Sequence, residues 1–322
     1  MTLRHKYVVS APAIREYESV TLGANDGVWQ KLGEALDRAH AGSGAYPVLA
    51  TAHPVFLAVE QAGIRWRVLG SASPTPQEAR DELAHQFLMR AAQAEPESPV
   101  QKSYRKAADL LDRERHDEIR AGGGYFRVAR IEQVVRRGPN GPEPPRPADT
   151  SRSPHGKASS SEEFLDEVGR DLGLEAMALK ADVANAVTKA GALPPENIAD
   201  EQRGHQAYPD AVLLGTWFTI GEQVEGDWKA FTVTEYRTPA GARISLLRYF
   251  RDYVPRFEQP GPDACAAYAL AADTMERDQL DEITANGRRF RITRVERLAR
   301  MRGGLPEPPR PSDFDPYPPP AA

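Results

Sequence analysis

The chain has 322 residues, 40% of them hydrophobic and 27% charged, with 46 acidic against 41 basic side chains for a formal net charge of −5. That balance fits an ordinary soluble globular protein and gives no polycationic signal for nucleic acid or a membrane surface. A single cysteine, Cys265, excludes an intramolecular disulfide framework and fits a reducing compartment, and no run is apolar enough for a secretory leader or a membrane span, so a cytoplasmic location is expected.

Lys6 to Ala11 reads as a short strand ended by Pro12. Asn25 and Asp26 can cap a helix whose apolar positions Val28, Trp29, Leu32 and Leu36 keep helical spacing, with Gly42 as its stop. From Tyr46-Pro47 onward the chain repeats itself. Phe56, Glu60, Gln61 and Trp66 match Phe218, Glu222, Gln223 and Trp228 at an offset of 162. In the first copy residues 54–60 and 64–69 flank Gln61-Ala62-Gly63, which predicts two antiparallel strands and a tight turn; in the second, 217–220 and 228–233 flank a longer loop containing Gly226. Thr75-Pro76 and Thr238-Pro239, offset by 163, each place an N-cap threonine before a proline at the first helical position, where an amide would be unpaired anyway. Ala79, Leu83 and Phe87, like Ala242, Leu246 and Phe250, then share one face.

Second helices start near Ser98-Pro99 and Pro262-Asp263. They bury Tyr104, Ala107, Ala108 and Leu111, or Tyr268, Ala271, Ala272 and Met275, and end near Gly122 and Asn286-Gly287. Strands follow at 126–136 and 290–300, then Pro-Glu-Pro-Pro-Arg-Pro segments from Pro142 to Asp149 and from Pro306 to Asp313. At a constant offset of 164, about half of the 43 positions 107–149 are identical to 271–313. The drift of the offset from 162 to 164 falls between elements, where insertions belong.

Each copy thus predicts strand, strand, helix, helix, strand. The expected class is α+β, with two tandem copies, mostly antiparallel sheets and a pseudo-two-fold relation. The divisions are residues 1–149 (first copy with its N-terminal strand and helix), 150–161 (flexible linker), 162–207 (helical insertion), 208–313 (second copy) and 314–322 (proline-rich tail).

Chemistry is less legible. Histidines are scattered without metal spacing, and no nucleophile elbow, phosphate loop or dinucleotide fingerprint occurs, so no metal and no cofactor is expected and catalytic residues stay unassigned. Asp117 and Asp281 are expected in the last turns of their helices, paired with an arginine of the following strand, Arg127 or Arg130 and Arg291 or Arg294. Alternation puts Arg130 beside Glu132 and Arg294 beside Glu296 on one strand face; these four, with Arg80 and Arg243 from the first helices, are the candidate ligand-binding residues of a cleft between the copies. The bland alternative is a charge ladder or salt-bridge network. Arg146 and Arg310, inside the proline segments, are candidates for contacts to a protein partner. Seven arginines between Arg288 and Arg302 could form a nucleic-acid patch, but a solvated edge strand protected by charge is the simpler expectation. Cys265 reads as an isolated structural or surface cysteine, and Trp66 and Trp228 as core residues.

Three functions stay open: a non-catalytic protein-binding or scaffold module, an enzyme or small-molecule or anion binder with its site between the copies, and a nucleic-acid binder. The chain is expected as a monomeric pseudo-dimer or a homodimer.

The pattern of Tyr-Pro, then Thr-Pro-x-x-Ala-Arg-x-x-Leu-x-x-x-Phe, then Arg-Phe-Arg-x-x-Arg-x-Glu, closing on Pro306 to Asp313, resembles a domain-of-unknown-function family common in Streptomyces and related actinobacteria. The first copy departs from it at Ala148, where the second has Ser312. The resemblance implies a bacterial intracellular protein and carries no activity, cofactor or catalytic residue.

Overall fold

The protein is described by a computed structural model over residues 45–147, 149, 164–165, 195–232 and 234–316. The expected N-terminal strand and helix, the linker at 150–161, most of 162–194 and the tail beyond 316 lie outside these described residues.

The fold is mixed α and β with an antiparallel sheet. β1 (Val48–Ala62) turns at Gly63 into β2 (Arg65–Ser73). Thr75 caps α1 (Pro76–Gln93) by accepting from the Glu78 amide, and Ser98 caps α2 (Pro99–Arg113) by accepting from the Gln101 amide. β3 (Glu118–Ala121), β4 (Gly124–Gly138) and β5 (Gly141–Pro142) follow. After α3 (Pro195–Ala207) come β6 (Asp210–Leu213), β7 (Trp217–Val224) and β8 (Asp227–Ala230). Thr238 caps α4 (Pro239–Arg248), which runs into a π-helical stretch, Tyr249–Glu258. Pro255 lies inside that stretch and cannot donate a helical hydrogen bond. Then come α5 (Pro262–Asp278), β9 (Glu282–Ala285), β10 (Arg288–Arg302) and β11 (Leu305–Pro306).

One expectation needs correcting. The second helices stop at Arg113 and Asp278, well before the glycines taken as their ends. Gly122-Gly123 and Asn286-Gly287 are instead two-residue hairpin turns with positive φ at both positions, joining β3 to β4 and β9 to β10. Asp117 and Asp281 therefore lie between helix and strand rather than in a last helical turn.

Among the described residues the eleven strands form one sheet with the order β2-β1-β4-β10-β7-β8. β4 and β10 pair antiparallel at its centre, where Gln133 faces Arg297, Glu132 faces Leu298 and Val134 faces Glu296. This overturns the edge-strand expectation for the arginine-rich segment. β10 has β4 on one side and β6 and β7 on the other, and Arg291, Arg294, Arg297 and Arg300 are all buried.

The helices cover one face. Leu83, Phe87, Ala107, Ala108 and Leu111 pack on Ala58 and Phe126; Ala242, Leu246, Phe250, Ala271, Ala272 and Met275 pack on Phe218, Ile220, Phe290 and Ile292. On the opposite face Leu57, Val59, Trp66, Ala129, Ile131, Ala299, Met301 and Leu165 form a further core.

The proline segments cross the centre. Arg127 Nη1 donates to the Pro306 carbonyl (2.6 Å) and Arg291 Nη1 to the Pro142 carbonyl (2.7 Å). The Arg130 amide donates to the Glu307 carbonyl (2.8 Å) and the Arg294 amide to the Glu143 carbonyl (2.9 Å). Each segment so satisfies an amide in the middle of the other long strand, between its hairpin partner and the central pairing. No helix among the described residues is long and apolar enough to cross a membrane.

Candidate functional site

The candidate ligand-binding and partner-binding residues singled out from the sequence all have partners within the chain. Arg80 is 2% exposed, with Nε 2.8 Å from Asp117 and Nη1 2.8 Å from Asp315, whose other oxygen accepts from the Gln77 amide. Arg243 bonds Asp281, whose carboxyl burial pushes above its ordinary range against the pull of Arg243. The partners of Asp117 and Asp281 are thus helix arginines. The strand arginines Arg127 and Arg291 pair with Glu118 and Glu282 instead, because those glutamates sit across the β3–β4 and β9–β10 hairpins.

At the central strands Arg130 bonds Asp313 (3.0 Å) and lies 3.3 Å from both Glu132 and Glu201. Arg294 bonds Asp149 (3.0 Å), Glu296 and Thr216. Arg310 and Arg146 close their own turns: each bonds the glutamate three residues before it (2.6 Å), and each amide donates to the aspartate three residues after it. The structure brings Arg130 together with Glu132 and Arg294 with Glu296, while Arg80 and Arg243 pair at helix starts with loop aspartates.

Glu132, Glu201 and His205 place three ligand-type atoms within 4.8 Å of one another. The same Glu132 oxygen, however, accepts from Arg300 Nε (3.0 Å) and Arg310 Nη2 (3.2 Å). Burial raises the Glu132 pKa, but His205, Arg300 and Arg130 outweigh it and hold the carboxyl well below the usual range. Glu132 and Glu201 are the acidic half of an ion-pair network with Arg130, Arg300 and Arg310, and His205 sits among them; α3 approaches closely at Gly204, where a Cβ would come within 2.5 Å of Arg310 Nε.

A different place has open space. A cavity of about 340 Å³ lies on the sheet face away from the helices, walled by Ala50, Ala52, Pro54 and Val55 of β1, Val135 of β4, Pro142, Thr219 and Gly221 of β7, Trp228, Ala230 and Val295. Its polar lining includes Gln133, Thr293 and Glu235. Gln133 is 8% and Thr293 3% exposed, and the Gln133 Nε2, Thr293 Oγ1 and Glu235 Oε2 atoms are buried without a hydrogen-bond partner among the described residues. A buried polar atom left unpaired costs about 1–3 kcal/mol. Glu235 Oε2 is 3.7 Å from Arg297 Nη1, and burial pushes its carboxyl above the ordinary range against the opposing influence of Arg297. The Arg297 guanidinium lies 4.4 Å from the centre of the Trp217 ring.

The reason for the space is legible residue by residue. At the sequence offsets, the packed residues Leu57, Val59, Ala129, Ile131, Ala299 and Met301 correspond to Thr219, Gly221, Thr293, Val295, Val135 and Arg137, all of which line the cavity. One set fills its side of the sheet with apolar side chains, helped by Leu165, whose amide donates to the Trp66 carbonyl. The other has smaller side chains at Thr219 and Gly221 and carries hydroxyls at Thr219 and Thr293. A Cβ at Gly221 would stand 3.3 Å from Thr293 Oγ1 and 3.4 Å from the Trp228 ring, inside the cavity wall. Gln133, Thr293 and Glu235 were not among the sequence candidates. The signal that could have found them was a change of polarity between matched positions, Ala129 to Thr293 above all.

No curated protein and no solved structure matches the chain. Residues 34–316, most of the chain, match the model described as Family of unknown function (DUF5954), and the protein belongs to that family.

Proposed function

We propose that the chain is a tandem duplication whose two α+β units pair about an approximate two-fold axis at the Gln133/Arg297 rung, and that it binds a small molecule in the cavity where the second unit has diverged. The sheet order β2-β1-β4-β10-β7-β8 reads the same from either end once matched strands are equated. Gln133 faces the residue that stands 164 positions later, and the proline-segment contacts come in pairs at that same offset. An isologous pairing has this signature.

The observation that carries the binding reading is the cavity with two buried polar atoms, Gln133 Nε2 and Thr293 Oγ1, that have no hydrogen-bond partner among the described residues, beside a buried Glu235 carboxylate whose Oε2 meets Arg297 only at 3.7 Å. Its volume falls in the range of small-molecule sites, which are mostly apolar with a few convergent polar groups. The charged clusters are internally paired and support an architectural role. The test is the double variant Thr219→Leu, Gly221→Val, which copies Leu57 and Val59. In a thermal-shift screen against uncharged amphipathic compounds, the wild-type chain should be stabilised by a subset that leaves the filled variant unmoved. Equal shifts in both proteins would overturn the reading.

A protein-binding role rests on a second surface, a groove of about 600 Å³ beside the π-helical stretch. Tyr249, Tyr253 and Phe257 stack along it, with Phe257 70% exposed. Tyr253→Ala with Phe257→Ala should leave folding intact; unchanged association with cross-linked partners would remove this reading.

A further inference from the structure

The cavity has a filled counterpart on the same face of the sheet. At the repeat offsets every buried member of that packed core has its match in the cavity lining, down to Leu214 at Ala52 and Met301 at Arg137, with one exception, Leu165. Leu165 reaches the core from a separate segment. Phe164 pairs antiparallel with Arg67 beside β2, the Leu165 amide donates to the Trp66 carbonyl (2.8 Å), and the leucine is 3% exposed. The segment thus covers β2, one end of the sheet order, and Trp66 beneath it is 1% exposed.

β8 is the other end of that order. The Phe231 amide donates to the Ile220 carbonyl, so residues 229 and 231 turn their backbone polar groups to β7, and Trp228 and Ala230 turn theirs outward. The Trp228 carbonyl therefore points away from the sheet as the Trp66 carbonyl does. Among the described residues no segment pairs with β8 on that side; Trp228 is half-buried, and Lys229 and Ala230 are exposed.

The ionisable groups of the lining, His53, Arg137, Lys229 and Glu235, carry both signs, and Glu235 stands 3.7 Å from Arg297, so charge selects no occupant. What the two units share is an end strand with outward backbone groups above a space on the sheet face, and such an edge adds an extended chain through those groups. The space at β8 is the larger. Its lining is smaller at Thr219, Gly221, Ala52 and Ala230 than at the matching Leu57, Val59, Leu214 and Val68, against modest gains at Thr293 and Val135.

Resting on the cavity reading above, we propose that the small molecule is a short extended peptide that adds to β8 as a further antiparallel strand. Its central amide donates to the Trp228 carbonyl, the carbonyl two residues earlier accepts from the Ala230 amide, and its central side chain, an aromatic larger than leucine, fills the cavity. No bond is made or broken; the site is a binding site.

The probe is the blocked, uncharged peptide acetyl-Thr-Thr-Phe-Thr-Thr-amide, titrated by calorimetry into the full chain, which should bind it one to one. Alanine in place of the phenylalanine, and N-methylation of the phenylalanine amide, should each weaken binding about tenfold, the scale of a lost buried side chain and of an acceptor left unpaired. Ala230→Pro, which an edge strand tolerates on its open side, should weaken it similarly by removing the outward amide. Thr219→Leu with Gly221→Val should abolish the preference for phenylalanine over alanine, both variants remaining folded by circular dichroism. The strand assignment falls and the cavity reading stands if the N-methylated or the alanine peptide binds as well as its parent, or if Ala230→Pro leaves binding unchanged. The same holds if the peptide does not bind while compounds of the thermal-shift screen still separate wild type from the filled variant. A wild-type dimer that Ala230→Pro converts to a monomer would give the edge to a second copy of the chain and also overturn the assignment. If no compound, peptide included, distinguishes wild type from the filled variant, the cavity reading falls and takes the assignment with it.

Discussion

Arg130 and Arg294 are each buried beside an aspartate donated by a proline segment, Asp313 and Asp149, and each is further hemmed by glutamates. Removing one partner of a buried pair leaves a desolvated charge, at a cost of about 3 kcal/mol. Asp313→Asn and Asp149→Asn should each lose about that much in urea unfolding; a loss below about 0.5 kcal/mol, the size of an exposed pair, would show that the segments do not clamp the sheet. Glu132 makes a different prediction, in pH. Burial raises its pKa, but His205 and two arginines lower it more, so the folded value lies below the unfolded one. Its contribution is therefore present above the ordinary carboxylate range and lost as pH falls through that range towards the folded value. Glu132→Gln should be destabilised at pH 7, with the difference from wild type shrinking as the pH drops below about 4. A difference that stays constant across that range would contradict the network. Residue types alone did show that Arg130 and Glu132 share a face. Their burial came from the proline segments folding over them, which a period-two pattern does not contain.

At the level of elements, the helix starts were legible because their causes are local. Thr75 and Thr238 cap α1 and α4 through their own hydroxyls, accepting from the amide three residues on. Thr75→Ala and Thr238→Ala should each cost about 1 kcal/mol in thermal unfolding, and a neutral result for both would remove the caps from the account. The helix ends and the β3 and β9 strands were missed because Gly122 and Gly287 serve a hairpin, and a glycine after a helical pattern reads equally well as either. The filled variant belongs at this scale too. Leucine at Thr219 and valine at Gly221 add apolar atoms to a void on β7, worth about 0.8 kcal/mol for each buried methylene, so the melting temperature should rise even without ligand. A fall would mean that the strand cannot admit them without overpacking. β10 carries the plainest difference between pattern and place. Its arginines look like an edge defended by charge, yet hairpin glutamates, proline-segment carbonyls and strap aspartates give them partners at the centre of the sheet.

For the whole molecule, the paired contacts across the centre predict that the two units recognise each other without a covalent link. Residues 1–149 and 150–322, produced as separate chains, should co-purify as a one-to-one complex by size exclusion, since each leaves the centre of its long strand and the inner side of its proline segment uncovered when alone. Two fragments that fold yet elute apart would refute the paired arrangement. The sequence by itself determined the local units: the repeat, the capped helices, the alternating strands and the proline segments, all of which depend on interactions within a few residues or on direct comparison of two stretches. Only the tertiary structure decided that β4 pairs with β10, that each proline segment serves the opposite strand, and that on the face away from the helices matched positions fill one end of the sheet and leave the other end hollow. Those outcomes depend on which surfaces meet and how much volume each side chain brings there, and pairing and volume are properties of contacts between distant residues.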